Sequence, residues 1–300
     1  MQRPVADVTG RKVRLIVNAD DFGASSQVNE AVIRAYGRGM LTACSLMVSG
    51  HAFEDAVRLA RENEGLAVGI HLVTVLGRSV LPPAKIPSIV DTNGNFPSDP
   101  ALAGLRYFFS RRSRRELVSE LEAQFEKFAA SGLPFSHIDS HLHLHVHPVV
   151  FEAALRLGEQ YGVRRMRVPL DDYRLFSRFH GGGSFSGKAM AAVFRLLTAR
   201  MEKRLRARGF TWARRVYGHF QSNRMSADYV HFVLDHLHEE TNEIYFHPGC
   251  FETCGGTDTT PEAAALRKEE YDILVDPEML AHVKALGIEL TSYRGIERNL

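Results

Sequence analysis

Val13-Arg14-Leu15-Ile16-Val17-Asn18-Ala19-Asp20-Asp21-Phe22-Gly23 runs from apolar residues into two adjacent carboxylates and a glycine. The apolar part reads as a buried strand. Two carboxylates at its mouth are costly to desolvate unless a cation or a proton-transfer role uses them. The plain alternative is a helix N-cap with a neighbouring salt bridge, since aspartate favours first turns. Three later stretches tip the reading toward a site. Leu66-Ala67-Val68-Gly69-Ile70-His71 is an apolar run closed by a histidine, His137 to His147 packs five histidines into eleven residues, and Glu243-Ile244-Tyr245-Phe246-His247-Pro248-Gly249 is strand-like with a histidine at its end. Neutral imidazole together with carboxylate suits zinc and its first-row neighbours.

Apolar runs near 13–18, 43–48, 66–72, 136–140, 164–168, 243–247 and 287–292 alternate with segments of helical period. Val28, Ala31, Val32, Ala35 and Tyr36 mark one helix, and Leu117, Leu121, Phe125 and Phe128 another. The alternation predicts an α/β fold, an irregular (β/α) barrel of about seven parallel strands, in one domain over residues 1–300. Barrel chemistry sits at the C-terminal strand ends, where Asp20, Asp21, His71, His141, Arg167 and His247 all fall. Two insertions are expected. Residues 77–113, with Pro82-Pro83, Pro87, Asn93-Gly94-Asn95 and Pro97, read as an irregular loop over the site. Residues 172–215 lead from three glycines into a basic amphipathic helix with Met190, Val193, Phe194, Leu197, Met201 and Leu205 on its apolar stripe.

A chain of 300 residues with 45% hydrophobic content can bury one large core. It holds no apolar stretch of signal-peptide or membrane-spanning length, so a soluble cytoplasmic protein is expected. Cys44, Cys250 and Cys254 are read as free thiols. The net charge of +2 hides an asymmetry: residues 106–115 carry +5 and residues 174–215 carry +10, leaving −13 elsewhere. A basic face on an acidic body implies an anionic partner, a membrane surface rather than nucleic acid. The basic helix then lies at the inner membrane face, with Phe176, Phe179, Phe185 and Trp212 near the headgroups. The bland alternative is a helix that simply covers the barrel.

Each candidate also has a structural reading. His71 alone would be a satisfied core histidine. In an extended segment His141, His143 and His145 share one face; in a helix His141 and His145 do. Asp139 could orient an imidazole, and His147 has the weakest claim. Arg167 could orient a carboxylate, hold substrate or form a structural ion pair. His247 either ends a strand before Pro248 or acts as a general acid titrating near neutral pH. Asp20 has no other evident partner in the sequence.

These segments resemble the YdjC-like carbohydrate deacetylase family: Leu15 to Gly23, Val68-Gly69-Ile70-His71-Leu72, Ile138-Asp139-Ser140-His141-Leu142-His143 and Tyr245-Phe246-His247-Pro248-Gly249, in family order. The resemblance implies a (β/α)-barrel hydrolase that removes acetyl from an N-acetylated amino sugar with one divalent metal. It implies Asp21, His71 and His141 as metal ligands, Asp20 as general base and His247 as general acid. Asp139, His143, His145 and Arg167 are left to substrate or to the ligands' support. Zinc suits the ligand set, with magnesium open. Residues 76–87, 105–110 and the basic insertion resemble the hopanoid-biosynthesis-associated branch, HpnK, which implies acetylated bacteriohopanetetrol glucosamine as substrate. A chito-oligosaccharide deacetylase, a metal-dependent phosphoesterase and a membrane-surface protein with a dead enzyme core are the rival readings. A phosphoesterase usually needs two metals bridged by carboxylate, and acids near the histidines look too few. Oligomeric state is not legible.

Overall fold

The computed structural model describes residues 12–249 and 260–296. Strand β1 (Arg14–Phe22) is buried along nearly all its length, as an apolar run covered on both faces should be. On one side of it lie β2 (Ala43–Leu46), β3 (Ala67–Leu72) and β4 (Ile138–Ser140), and on the other β5 (Arg215–Tyr217) and β6 (Thr241–Phe246). The order is β4-β3-β2-β1-β6-β5, and β7 (Glu289–Thr291) pairs with the first residues of β1. Every pairing in the sheet is parallel. The connections carry α1 (Ser26–Arg38), α2 (Phe53–Glu62), α3 (Pro100–Phe109), α4 (Arg111–Ala130), α5 (Pro148–Gln160), α6 (Tyr173–Phe179), α7 (Phe185–Ala207), α8 (Ala227–Leu234), α9 (Pro261–Val275) and α10 (Pro277–Ala285). The expected α/β barrel-like fold is the one observed. The apolar stripes of α1 and α4 predicted from their period face the core.

Between β4 and β5 the sheet is completed irregularly. Ile138 N donates to Arg165 O, Arg167 N to Ile138 O, Met166 N to Thr211 O and Val216 N to Leu170 O. The apolar run at 164–168 is therefore not a strand but a set of single bridges to its neighbours. Pro169 has no N–H with which to extend the ladder. The strand on this side is β5, which begins at Arg215, the last residue of the basic window, and is masked in the sequence by that arginine.

Residues 77–113 are irregular only to Asp99. There the Asp99 carboxylate caps α3 by accepting from Ala101 N and Leu102 N, with Pro100 at the first helical position, and Ser110 caps α4. In the basic insertion, α7 buries Met201 and Leu205, but Met190 and Val193 are exposed. Trp212 is buried, and Phe176 and Phe179 pack into an aromatic cluster with Tyr229; of that expected aromatic set only Phe185 lies in the open. Cys44 is a buried free thiol, while Cys250 and Cys254 lie outside the described residues. Among the described residues no helix is long and apolar enough to cross a membrane.

Candidate functional site

Adjacent side chains on a regular strand point to opposite faces. Asp20 and Asp21 nevertheless both bring an oxygen within 4.8 Å of a His71 ring nitrogen, because the β1–β2 register slips between Ala19 and Phe22 and Asp21 takes a left-handed backbone with φ 65°. Gly23 follows at φ 91°, where an added Cβ would lie 2.9 Å from both Leu46 Cδ1 and Met47 O. The irregularity at the strand end aims Asp21 across the barrel mouth.

There Asp21 meets two imidazoles. His141 Nδ1 lies 3.2 Å from Asp21 Oδ1, and His71 Nε2 lies 3.7 Å from the same oxygen. One ligand atom from each of Asp21, His71 and His141 falls within 4.8 Å of the others, and the same is true of Asp20, His71 and Asp139. The chemistry separates the two groups. Arg167, fully buried, donates to both oxygens of Asp20 at 2.7 Å, to Glu243 Oε1 at 2.7 and 2.9 Å, and sits 3.0 Å from Asp139 Oδ2. Burial works against its charge, yet Asp139, Asp20 and Glu243 raise it well above its ordinary range. A permanent cation thus already serves Asp20 and Asp139. The first trio has the donor set of a divalent metal site. His71 Nδ1 donates to Asp139 Oδ1 at 2.8 Å, which fixes the tautomer and turns the Nε2 lone pair toward Asp21. Burial alone would raise Asp21; His141 and Arg267 hold it well below the usual carboxylate range, so it is ionised and ready to ligate.

The floor beneath is a polar network. Asn18 Nδ2 donates to Asp20 Oδ1 (2.8 Å) and to Ser45 Oγ (2.9 Å), and Ser45 Oγ donates to Asp139 Oδ2 (2.7 Å). The Tyr293 hydroxyl donates to Glu243. Asp20 therefore has partners that the sequence did not reveal. The acids near the histidines are also more numerous than spacing suggested, but Arg167 holds them.

The histidine cluster is neither extended nor α-helical. β4 ends at Ser140, and a 3₁₀ turn (His141–Val146) follows with Leu142 and His143 at φ 51° and 54°. The turn separates the roles. His141 reaches Asp21; His143 Nε2 lies 2.9 Å from the Tyr245 hydroxyl; His145 is buried between Ser140 Oγ (2.7 Å) and Arg167 O (2.9 Å). Burial lowers His143 well below its ordinary value and His145 to about 4, so His145 supports the floor as a neutral ring. His147 stands away from the metal-type trio, against Tyr107 and Phe108. His247 lies at the end of β6, its backbone N–H held by Glu270, and burial pushes it down to about 4. It is neutral at pH 7 and does not titrate there.

The pattern described as YdjC-like protein matches residues 14–285. The chain belongs to the YdjC-like family. It is 32% identical over 283 residues to a carbohydrate deacetylase of Geobacillus stearothermophilus, covering 93% of this chain and 96% of that one. It is 41% identical over 159 residues to a carbohydrate deacetylase of Brevibacillus brevis, a match spanning 50% of this chain and 58% of that protein. A solved structure from Enterococcus faecalis, named for a proposed role in cellobiose-phosphate cleavage, superposes with a TM-score of 0.70 at 25% identity, covering 94% and 98% of the two chains.

In this YdjC-like chain several residues around the site escaped sequence reading. Glu243 carried a signal, an acid inside an apolar strand, which is costly to bury unpaired. Tyr293, Glu270 and Arg267 carried none. Arg267 Nη2 donates to Asp21 Oδ2 at 3.0 Å from a helix more than two hundred residues away in sequence. Such pairing comes from packing, not from periodicity.

Proposed function

We propose that this chain is a metal-dependent carbohydrate N-deacetylase acting on an N-acetylglucosamine moiety. The observation that carries the reading is the convergence of Asp21, His71 and His141 beside a second, differently held carboxylate, Asp20, and a buried imidazole, His247. Its deacetylase-named relatives support the substrate class. Asp21, His71 and His141 are the residues that would hold the ion. When bound, a divalent cation supplies a Lewis acid for the acetyl carbonyl and acidity for water; zinc suits the donors, with magnesium the second choice.

The protein's own part is proton traffic and orientation. Asp20, fixed by Arg167 and Asn18, accepts the proton of the attacking water as general base. His247 begins neutral, gains basicity as negative charge develops on the acetyl group, takes up the proton that Asp20 removed from the water, and delivers it to the departing sugar amine. Asp139 orients His71, and His145 and Arg167 brace the floor. His143 and Tyr245 line the side toward β6 and are candidates for sugar contact. A phosphoesterase with two cations is disfavoured, because Arg167 occupies the place beside Asp20 and Asp139 that a second ion would need.

The acetylated glucosamine of bacteriohopanetetrol is the substrate we assign, on the resemblance of residues 76–87, 105–110 and the basic insertion to the hopanoid-associated branch, with contact at an anionic membrane surface. Metal-loaded protein should release acetate from this glycolipid faster than from diacetylchitobiose. Release from the chito-oligosaccharide alone would transfer the substrate assignment while leaving the deacetylase reading. Release from neither would overturn both.

A further inference from the structure

Ten large apolar side chains are exposed among the described residues, and they are not scattered. Four lie on α3, with Phe109 75% exposed, and four on α7 up to Leu196, with Phe185 at 88% and Leu196 at 74%. The other two are Leu76, in the loop after β3, and Leu142, in the turn that carries His141. Both α3 and α7 pack against that turn, so the two helices that carry eight of the ten flank the segment that holds His141. Phe108 stands 6.2 Å from the His147 ring on one side, and Phe194 of α7 lies tilted 4.1 Å from the His219 ring, which neighbours His143, on the other. Leu76 and Leu142 also adopt left-handed backbones, φ 47° and 51°, at a cost that no burial of their side chains offsets. Soluble surfaces rarely concentrate apolar groups in this way without a partner.

The charge around the patch says which partner. From Pro100 to Arg115 there are five arginines and no acid, and from Phe185 to Met201 Lys188, Arg195 and Arg200 likewise have no acid among them. A second copy docked face to face would set these cations against each other. An apolar face fringed by arginine matches an anionic bilayer, into which the side chains insert while the guanidinium groups meet the phosphates. We propose that α3, the His141–Val146 turn and the first half of α7 form a bilayer-docking face around the site, so that lipid-borne acetamido sugars enter directly from the membrane. The substrate half of this inference rests on the deacetylase reading; the docking half does not.

The test uses the whole metal-loaded protein with two kinds of vesicle, phosphatidylcholine alone and phosphatidylcholine mixed with phosphatidylglycerol. Sedimentation with the anionic vesicles, weakened by salt, is expected. The double variant Phe109→Glu, Leu196→Glu should lose roughly tenfold or more in partitioning, the scale of large apolar side chains leaving water. Its acetate release from a soluble N-acetylglucosaminide should match the parent, which also shows that it folds, and release from the same sugar on a lipid anchor in vesicles should fall. Equal sedimentation of parent and variant would overturn the docking face, as would no sedimentation at low salt. So would a parent dimer that the variant converts to monomer, since a second copy would then cover the patch. Vesicle binding without acetate from any substrate would retain the docking face and remove the deacetylase reading.

Discussion

Asp20 and Asp21 are neighbours in sequence but differ in environment because the backbone turns left-handed between strand and loop. Asp21 faces imidazoles, and Asp20 faces a guanidinium. His141→Ala should therefore leave the purified protein without its bound metal, read by elemental analysis; full metal content with unchanged turnover would remove His141 from the ligand set. Asp20→Asn should keep the metal and lose at least about a hundredfold in kcat. Asp139→Asn should weaken metal affinity by roughly ten- to a hundredfold, because the negative charge that polarises His71 through its Nδ1–H is lost. The candidate carboxylates and strand-end histidines were legible as residue types. Their division of labour was not, because it depends on φ values at Asp21, Leu142 and His143 that no spacing rule encodes.

At the scale of elements, long amphipathic helices and apolar strands announced themselves, as α1, α4 and β1 show. β5 did not, since three residues opening with arginine carry no period. The segment at 164–168 read as a strand but serves as an irregular closure, and its purpose is to carry Arg167 into the centre of three carboxylates. Removing that guanidinium strands Asp20, Asp139 and Glu243 in the interior. Arg167→Met should cost about 3–5 kcal/mol, the range for breaking a buried pair from one side. Urea denaturation of parent and variant reads this directly, and a loss below about 1 kcal/mol, the scale of a surface pair, would contradict it.

Across the whole molecule, sequence reading found the charge asymmetry and three of the exposed apolar groups that accompany it, Phe185, Met190 and Val193, but not those of α3, because exposure is decided by packing. It also gave no hint of Glu270, which burial raises to about 7 while it accepts the His247 N–H. Its folded pKa lies above the ordinary carboxylate value, so the folded state binds the extra proton. The stabilisation this gives is complete below about pH 4.5 and lost as pH rises through 7. Against Glu270→Gln, the parent's urea midpoint should fall progressively over that window and run parallel above it; parallel curves throughout would refute the assignment. The central claim is that one divalent ion at Asp21, His71 and His141 supports amide hydrolysis. It is tested most directly by stripping the protein with a chelator, restoring zinc in substoichiometric steps and measuring acetate from an N-acetylglucosaminide. Release should be absent at first, rise linearly and break at one equivalent; undiminished release from stripped protein, or none with the ion bound, would contradict it.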